Sequence, residues 1–383
     1  MSESQIPVNV SISAPIVEDN DSRLVIAGQW QLMWRKFRKH RLAMLGGLVT
    51  ILIYLMTIFA EFIAPTLPDT YNAQFTYAPP QTLYLFDQID AGLRFQPYVN
   101  GYTVKLDYEA GRRNFVVDET VKIPVGIFVK GDSYKLFGLI PTNIHLLGTL
   151  NKGDPLYLFG ADRLGRDILS RTIYGSRVSM TIGLVGVTLS LFLGILMGGI
   201  SGYFGGWIDN LIQRLIEFLQ SIPSIPLWIG LTVAIPRDVP PLNVYFYITA
   251  ILSLLGWTGL ARVVRGKFYA LKTEDFVKAA RLDGCSSLRI IFRHMVPSFL
   301  SHIIAVVTLA IPGMILAETA LSFLGVGLRE PVISWGVLLQ ESQNIRAISN
   351  APWLFWPGVM VVVAVLALNF LGDGLRDAAD PYT

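Results

Sequence analysis

The 383-residue sequence contains a single cysteine, Cys285, which excludes an intrachain disulfide framework. Histidine is scarce, with four in all, and neither an HExxH metal pattern nor a GxSxG nucleophile turn occurs. No GxxxxGK[ST] phosphate loop is present, so the chain does not bind ATP by that means. These absences predict no catalytic residues, no metal and no resident cofactor. Charge is thin as well. Charged residues make up 15% against 52% hydrophobic, too apolar for a soluble domain of this length. The net charge of +3 does not point to nucleic acid, because the bases gather where membrane topology wants them.

What is present is a set of long apolar runs. Stretches long enough to cross a bilayer fall at about Leu42–Ala60, Val178–Ile200, Phe218–Ile235, Val244–Ala261, Met295–Ala317 and Ala351–Leu371. Six spans are expected, with Pro223 and Pro226 interrupting the third and Pro312-Gly313 kinking the fifth. Arg35, Lys36, Arg38, Lys39 and Arg41 precede the first span, and a second basic cluster runs from Arg262 to Arg293. With six spans both clusters fall on one side, which the positive-inside rule makes cytoplasmic, together with both termini. Residues up to about Asp21 are polar and lack the apolar core of a signal peptide. Residues 28–41 place Trp30, Trp34 and Phe37 on one basic helical face, the pattern of a helix lying on the membrane surface.

The polar stretch 273–297, TEDFVKAARLDGCSSLRIIFRHMVP, separates the fourth and fifth spans. Thr273 is placed to cap a helix, with Glu274 and Asp275 in its first turn. Phe276, Ala279, Ala280 and Asp283 follow at helical spacing, Gly284 ends the helix, and Ser286 or Ser287 starts another. Pro297 marks the entry to the next span. Lys278-Ala279-Ala280, Gly284 and Val296-Pro297 resemble the "Glu-Ala-Ala … Gly … Leu-Pro" loop of ABC importer permeases, departing from it at Lys278, His294 and Val296. Arg293-His294 before the proline is similar to the dipeptide and oligopeptide branch. The resemblance implies an ATPase-coupling loop within 266–297 made by Phe276, Lys278, Ala279, Ala280, Asp283, Gly284, Cys285, Arg293 and Pro297.

Three further segments carry the same resemblance. FGADRLGRDILSRTIYGSRVSM (159–180) resembles the segment preceding the second span in C-type subunits of that branch. Within it Asp162, Gly165, Arg166, Asp167 and Arg171 form a periplasmic motif, and its charges are expected to pair at helical spacing and hold the outer mouth of the span. NFLGDGLRDAADP (369–381) and FRKHRLAMLGG (37–47) resemble the terminal signatures. Residues 66–145 match nothing in that core. Their aromatics and alternating runs, such as YTVKLDY (102–108), predict short strands.

The expectation is therefore an all-α membrane protein with six transmembrane helices of the ABC importer permease type and a small, mostly β periplasmic insertion between the first two. Its parts are a disordered cytoplasmic tail (1–27), an interfacial helix (28–41), a first span (42–64), the insertion (65–160), a permease core of five spans (161–375) and a cytoplasmic tail (376–383). The resemblance implies a non-enzymatic permease subunit of the bacterial inner membrane, translocating peptides or similar small solutes by alternating access. Implied partners are a homologous second permease, two ATPase subunits that hold ATP and Mg, a substrate-binding protein outside the membrane, and membrane lipid, with no nucleic acid. An ion-coupled secondary transporter is the rival; it needs a polar relay at mid-membrane, often with inverted repeats, and neither is seen. Gly194, Gly198 and Gly202 recur every four residues, leaving open whether a helix of this chain or of a partner packs on them. Glu217 and Glu318 are expected to be structural, Glu217 through Arg214.

Overall fold

Apolar chain that must satisfy its own backbone in lipid closes its hydrogen bonds internally, and here it does so mainly as helix. The computed structural model describes residues 29–89, 92–107, 112–236 and 238–379; the expected tail at 1–27 lies outside them. Helix α1 (Gln29–Lys39) leads past His40, whose Nδ1 accepts from the Ala43 N–H, into α2 (Arg41–Ile58) and the single turn α3 (Ala60–Ile63). Four strands follow, β1 (Leu83–Ile89), β2 (Gly92–Asp107), β3 (Arg112–Leu136) and β4 (Ile140–Thr149). The remainder is helical: α4 (Ile168–Phe204), α5 (Gly206–Ser221), α6 (Ser224–Val233), α7 (Pro241–Leu271), α8 (Asp275–Leu282), α9 (Leu300–Phe323), α10 (Trp335–Gln340) and α11 (Trp356–Ala379).

Five stretches are long and apolar enough to span a membrane: α2, α4, α7, α9 and residues 352–379, which end in α11. Helices α5 and α6 meet at an 83° bend and make a sixth span only if the bent pair counts as one. The cause is Pro223, which has no N–H to donate and forces Ile222 into extended backbone (φ −89°, ψ 126°). Pro312, by contrast, lies inside α9, which continues through it.

The glycine repeat has a partner within the chain. A Cβ on Gly198 would lie 2.4 Å from the Ala261 carbonyl oxygen, and one on Gly202 would lie 2.6 Å from the Phe268 Cβ. Helices α4 and α7 therefore touch backbone to backbone. The start of α2 packs on the end of α11, where a Cβ on Gly374 would fall 2.1 Å from the Ala43 Cβ. Helix α9 runs antiparallel to α11, and Phe268 and Phe299 meet edge to face at 5.9 Å. The start of α2, the end of α11 and the 273–297 loop thus share one end of the bundle, and the sheet lies at the other.

Helix α1 packs part of its apolar face on the bundle. Met33 and Phe37 are buried against Leu371, Leu375 and Ala378 of α11, and Trp34 is turned outward, at 56% exposure. The insertion is an antiparallel meander in the order β1-β2-β3-β4. The first half of β3 pairs with β2 (Val104↔Phe115) and its second half with β4 (Leu136↔Ile140). Its small core holds Val99, Ile123, Val125 and Leu156, while Tyr84–Tyr98 and Phe86–Phe95 pair across strands on the surface.

Candidate functional site: the 273–297 loop and the charged clasp

At the loop end of the bundle, α8 begins differently from the sequence expectation. Thr273 does not cap it; the Thr273 hydroxyl donates back to the Ala270 carbonyl at 3.1 Å, and Glu274 occupies the cap position with no side-chain bond. The competing acceptor is an unpaired carbonyl at the end of α7. Gly284 ends α8 with φ +75°, and the Cys285 N–H donates to the Ala280 carbonyl at 3.1 Å, as a glycine-terminated helix requires. Ser286 then caps the next turn by accepting from the Arg289 N–H at 3.4 Å.

Val277 and Ala280 face inward onto Phe268, Ile290, Ile291 and Met295. Phe276, Lys278, Ala279, Asp283, Gly284, Arg293 and Pro297 are on the surface. Ala280 is buried beneath them, and Cys285 is half-buried against the same inner cluster. Three surface residues escaped the sequence reading: Leu282, 89% exposed, Leu288 and Phe292. The available signal was position, since Leu282 lies two residues past inward-facing Ala280 and so on the opposite side of the helix. The loop therefore presents apolar side chains among Lys278, Arg281, Arg289 and Arg293, a composition suited to a protein partner.

Beneath the loop sits a charged clamp that the sequence reading also missed. Asp209 of α5 accepts from Arg265 Nε and Nη2 of α7, each at 2.6 Å, from the Tyr269 hydroxyl at 2.7 Å, and from the Ser201 hydroxyl of α4. Arg281 of α8 stacks over the Tyr203 ring at 5.2 Å. The loop is thus tied to the corner where α4, α5 and α7 converge.

At the sheet end of the bundle, the charged segment 162–171 assembles around a residue far away in sequence. Arg166 Nε donates to Asp162 Oδ2 at 2.6 Å, and Arg166 and Arg171 each donate to Glu330 Oε1 at 2.8 Å. Arg171 Nε lies 3.8 Å from Asp162, and both side chains are almost fully buried. Asp162 and Arg166 do pair four residues apart, as the sequence suggested, but across a tight loop and not a helical turn, with Gly165 at φ +73°. Only glycine fits there, since a Cβ would lie 2.0 Å from the Asn72 carbonyl oxygen. Among the described residues Asp167 joins no ion pair; its carboxylate caps α4, accepting from the Leu169 and Ser170 N–H groups and from the Ser170 hydroxyl. The cluster borders a cavity of about 540 Å³, lined also by Tyr77, Arg163 and Glu341.

Burial opposes ionisation of Glu330, but Arg166 and Arg171 outweigh it and hold the carboxyl below its usual range. Its pairing therefore stabilises the fold above pH 4.5, the ordinary glutamate value, and is lost as pH falls through the depressed native value. Burial instead pushes the Asp167 carboxyl up to about 6, against the hydrogen bonds from Ser170 and Leu169. A group shifted upward favours the fold at low pH and withdraws that support as pH rises toward 6. The two windows have opposite sign. Glu330 should therefore lower the melting temperature in detergent as pH falls below about 4.5, and Asp167 should lower it as pH rises toward 6; Glu330→Gln should remove the acid limb and leave the other. An acid limb unchanged in Glu330→Gln would mean that other carboxylates set it.

Glu318, inside α9, accepts from the hydroxyls of Ser334 (2.7 Å), Ser322 (2.8 Å) and Ser179 (3.2 Å). Ser179 and Ser334 in turn accept from the N–H groups of Trp335 and Val337. The path ends on backbone, so Glu318 joins α4, α9 and α10 and begins no relay. Glu217 pairs with Arg214 at 2.7 Å on an exposed face.

Residues 190–383 match the family model described as "Binding-protein-dependent transport system inner membrane component", and residues 28–80 match "N-terminal TM domain of oligopeptide transport permease C". The sheet falls between the two. The chain is 38% identical over 224 residues to an oligopeptide transport system permease protein of Bacillus subtilis, covering 58% of this chain and 71% of that one. It is 39% identical to the Haemophilus influenzae oligopeptide permease protein (59% and 70% covered) and 38% to a B. subtilis dipeptide permease protein (58% and 68%). A permease chain of the MetNI methionine ABC transporter overlays at a TM-score of 0.42 and 17% identity, covering 55% of this chain and 96% of that one, too loosely to carry weight. The chain belongs to the binding-protein-dependent transport system inner membrane components, the multi-pass permease subunits of ABC importers, in which separate subunits hydrolyse ATP.

Proposed function

We propose that this permease moves peptides or similar small solutes across the bacterial inner membrane by alternating access, with residues 273–297 as the seat of the ATPase subunits. The names of its relatives support the substrate class. The observation that carries the coupling role is the exposure of Leu282 and its apolar neighbours on a glycine-ended loop that has a packed inner face. The basic residues flanking α2 and the loop share one end of the bundle, which supports a cytoplasmic position for that end and for both termini. In this reading two ATPase subunits engage this loop and its counterpart on a homologous second permease. A substrate-binding protein docks at the opposite end, with residues 66–145 as its platform. ATP-driven closure shifts α8, and the Arg281–Tyr203 and Asp209–Arg265 contacts pass that shift to α4, α5 and α7.

Gly284→Val is the test. The left-handed backbone costs a β-branched residue roughly 1–3 kcal/mol, and nothing within 4 Å of Gly284 adds a steric term. The complex should assemble, while ATP hydrolysis continues without uptake. Normal uptake would remove the coupling role from this loop. Cys285 offers an independent readout. Its thiol should label from the cytoplasmic side in the free permease, and labelling should fall when the ATPases bind; labelling only from outside would invert the topology.

A further inference from the structure

The end of the β3–β4 hairpin is unlike the rest of the sheet. Residues 136–141 read LFGLIP and carry no charge. Leu139 is 81% exposed, Ile140 57% and Phe137 48%. A water-facing hairpin tip usually carries glycine, asparagine or aspartate. Here Phe137 itself occupies the left-handed region (φ 54°), next to Gly138, an expensive place for an aromatic.

The direction of the hairpin explains this. His145 Nδ1 meets the Ala64 carbonyl at 2.7 Å, above the end of the first span. Farther along, the Phe128 ring lies 5.9 Å from Phe62, and the Phe137 ring 5.5 Å from Phe59. The hairpin thus descends beside α3 toward α2, and its tip reaches the level where that span ends. There it continues the apolar surface of Ile51, Leu52, Leu55 and Ile58, each exposed. The Gly138 and Leu139 N–H groups donate to the Lys135 and Leu136 carbonyls, both at 3.0 Å, so the turn satisfies these donors without water. Lys135, exposed just behind the tip, is placed to reach the headgroups.

We propose that residues 136–141 insert into the outer leaflet beside α2, a lipid anchor that fixes the sheet against the membrane. The proposal rests on α2 being a membrane span. To test it, Leu139, Ile58 and Glu119 are changed singly to cysteine in a Cys285→Ser chain and labelled with a nitroxide. The complete transporter is then reconstituted in phosphatidylcholine–phosphatidylglycerol vesicles. Collision of the label with oxygen and with a water-soluble nickel chelate is read by power saturation. At Leu139 oxygen should dominate severalfold, as at Ile58, whereas the chelate should dominate at Glu119 on the other half of β3. Dominance of the chelate at Leu139 would place the tip in water and overturn the proposal. Low collision with both would mean that another subunit covers it, which overturns it equally. A chelate-accessible Ile58 would bring down the span assignment and the proposal together.

Discussion

Asp162→Ala should cost about 3–5 kcal/mol, the usual penalty for breaking a buried ion pair by removing one partner. Asp162 is 2% exposed and does three jobs at once. It pairs with Arg166 at 2.6 Å, lies beside the buried Arg171 guanidinium, and accepts from the Leu164 and Arg166 N–H groups at 2.8 and 2.9 Å. Its loss leaves two cations leaning on Glu330 alone and frees the loop around Gly165. Melting of the purified permease in detergent reads the effect, with Lys278→Ala as the reference. The Lys278–Asp275 pair is exposed on both sides, so its removal should change stability by no more than ~0.5 kcal/mol. If Asp162→Ala melts with the parent, the cluster contributes little to holding that end of the bundle together.

Gly198→Leu should be the more damaging change within the spans, preventing α4 from seating on α7. A Cβ there meets the Ala261 oxygen at 2.4 Å and the Ala261 Cα at 2.9 Å, so relief requires moving backbone and not merely turning a side chain. Overpacking of this kind costs roughly 1–3 kcal/mol even for small additions, and leucine adds three carbons beyond the first. Gly259→Ala and Gly266→Ala on α7 provide the contrast, because nothing lies within 4 Å of either. Each should be tolerated, with a gain of up to about 1 kcal/mol from helix propensity. The readout is the yield of monodisperse permease and its recovery with the ATPase subunits. A Gly198→Leu protein that assembles in parental yield would contradict the close contact.

How far the sequence reached depended on whether an element's determinants were local. Five of the six expected spans, the break at Pro223, the left-handed turn at Gly284 and the strand-rich insertion were readable because each follows from nearby residues: apolar length, a missing N–H, a missing Cβ, alternation. The capping of α8 was misread for the same reason. Whether Thr273 serves the helix ahead or the one behind depends on which end leaves a free acceptor. That Phe37 packs on α11, whose end lies more than three hundred residues later in the chain, could not be read from neighbouring residues.

Sequence alone determined the class of molecule: its apolar runs, the 273–297 segment with its glycine and proline, and the charged segment before α4. Tertiary structure alone decided which distant residue completes each site. Glu330 closes the Asp162–Arg166–Arg171 cluster, and Asp209 finds Arg265 and Tyr269. The glycines of α4 receive α7, and the tip of the hairpin comes to rest beside Phe59. Local conformation follows from the chemistry of adjacent residues. A buried charge or an unfilled backbone groove can be satisfied by any suitable group the fold delivers, and only the packed chain selects which one.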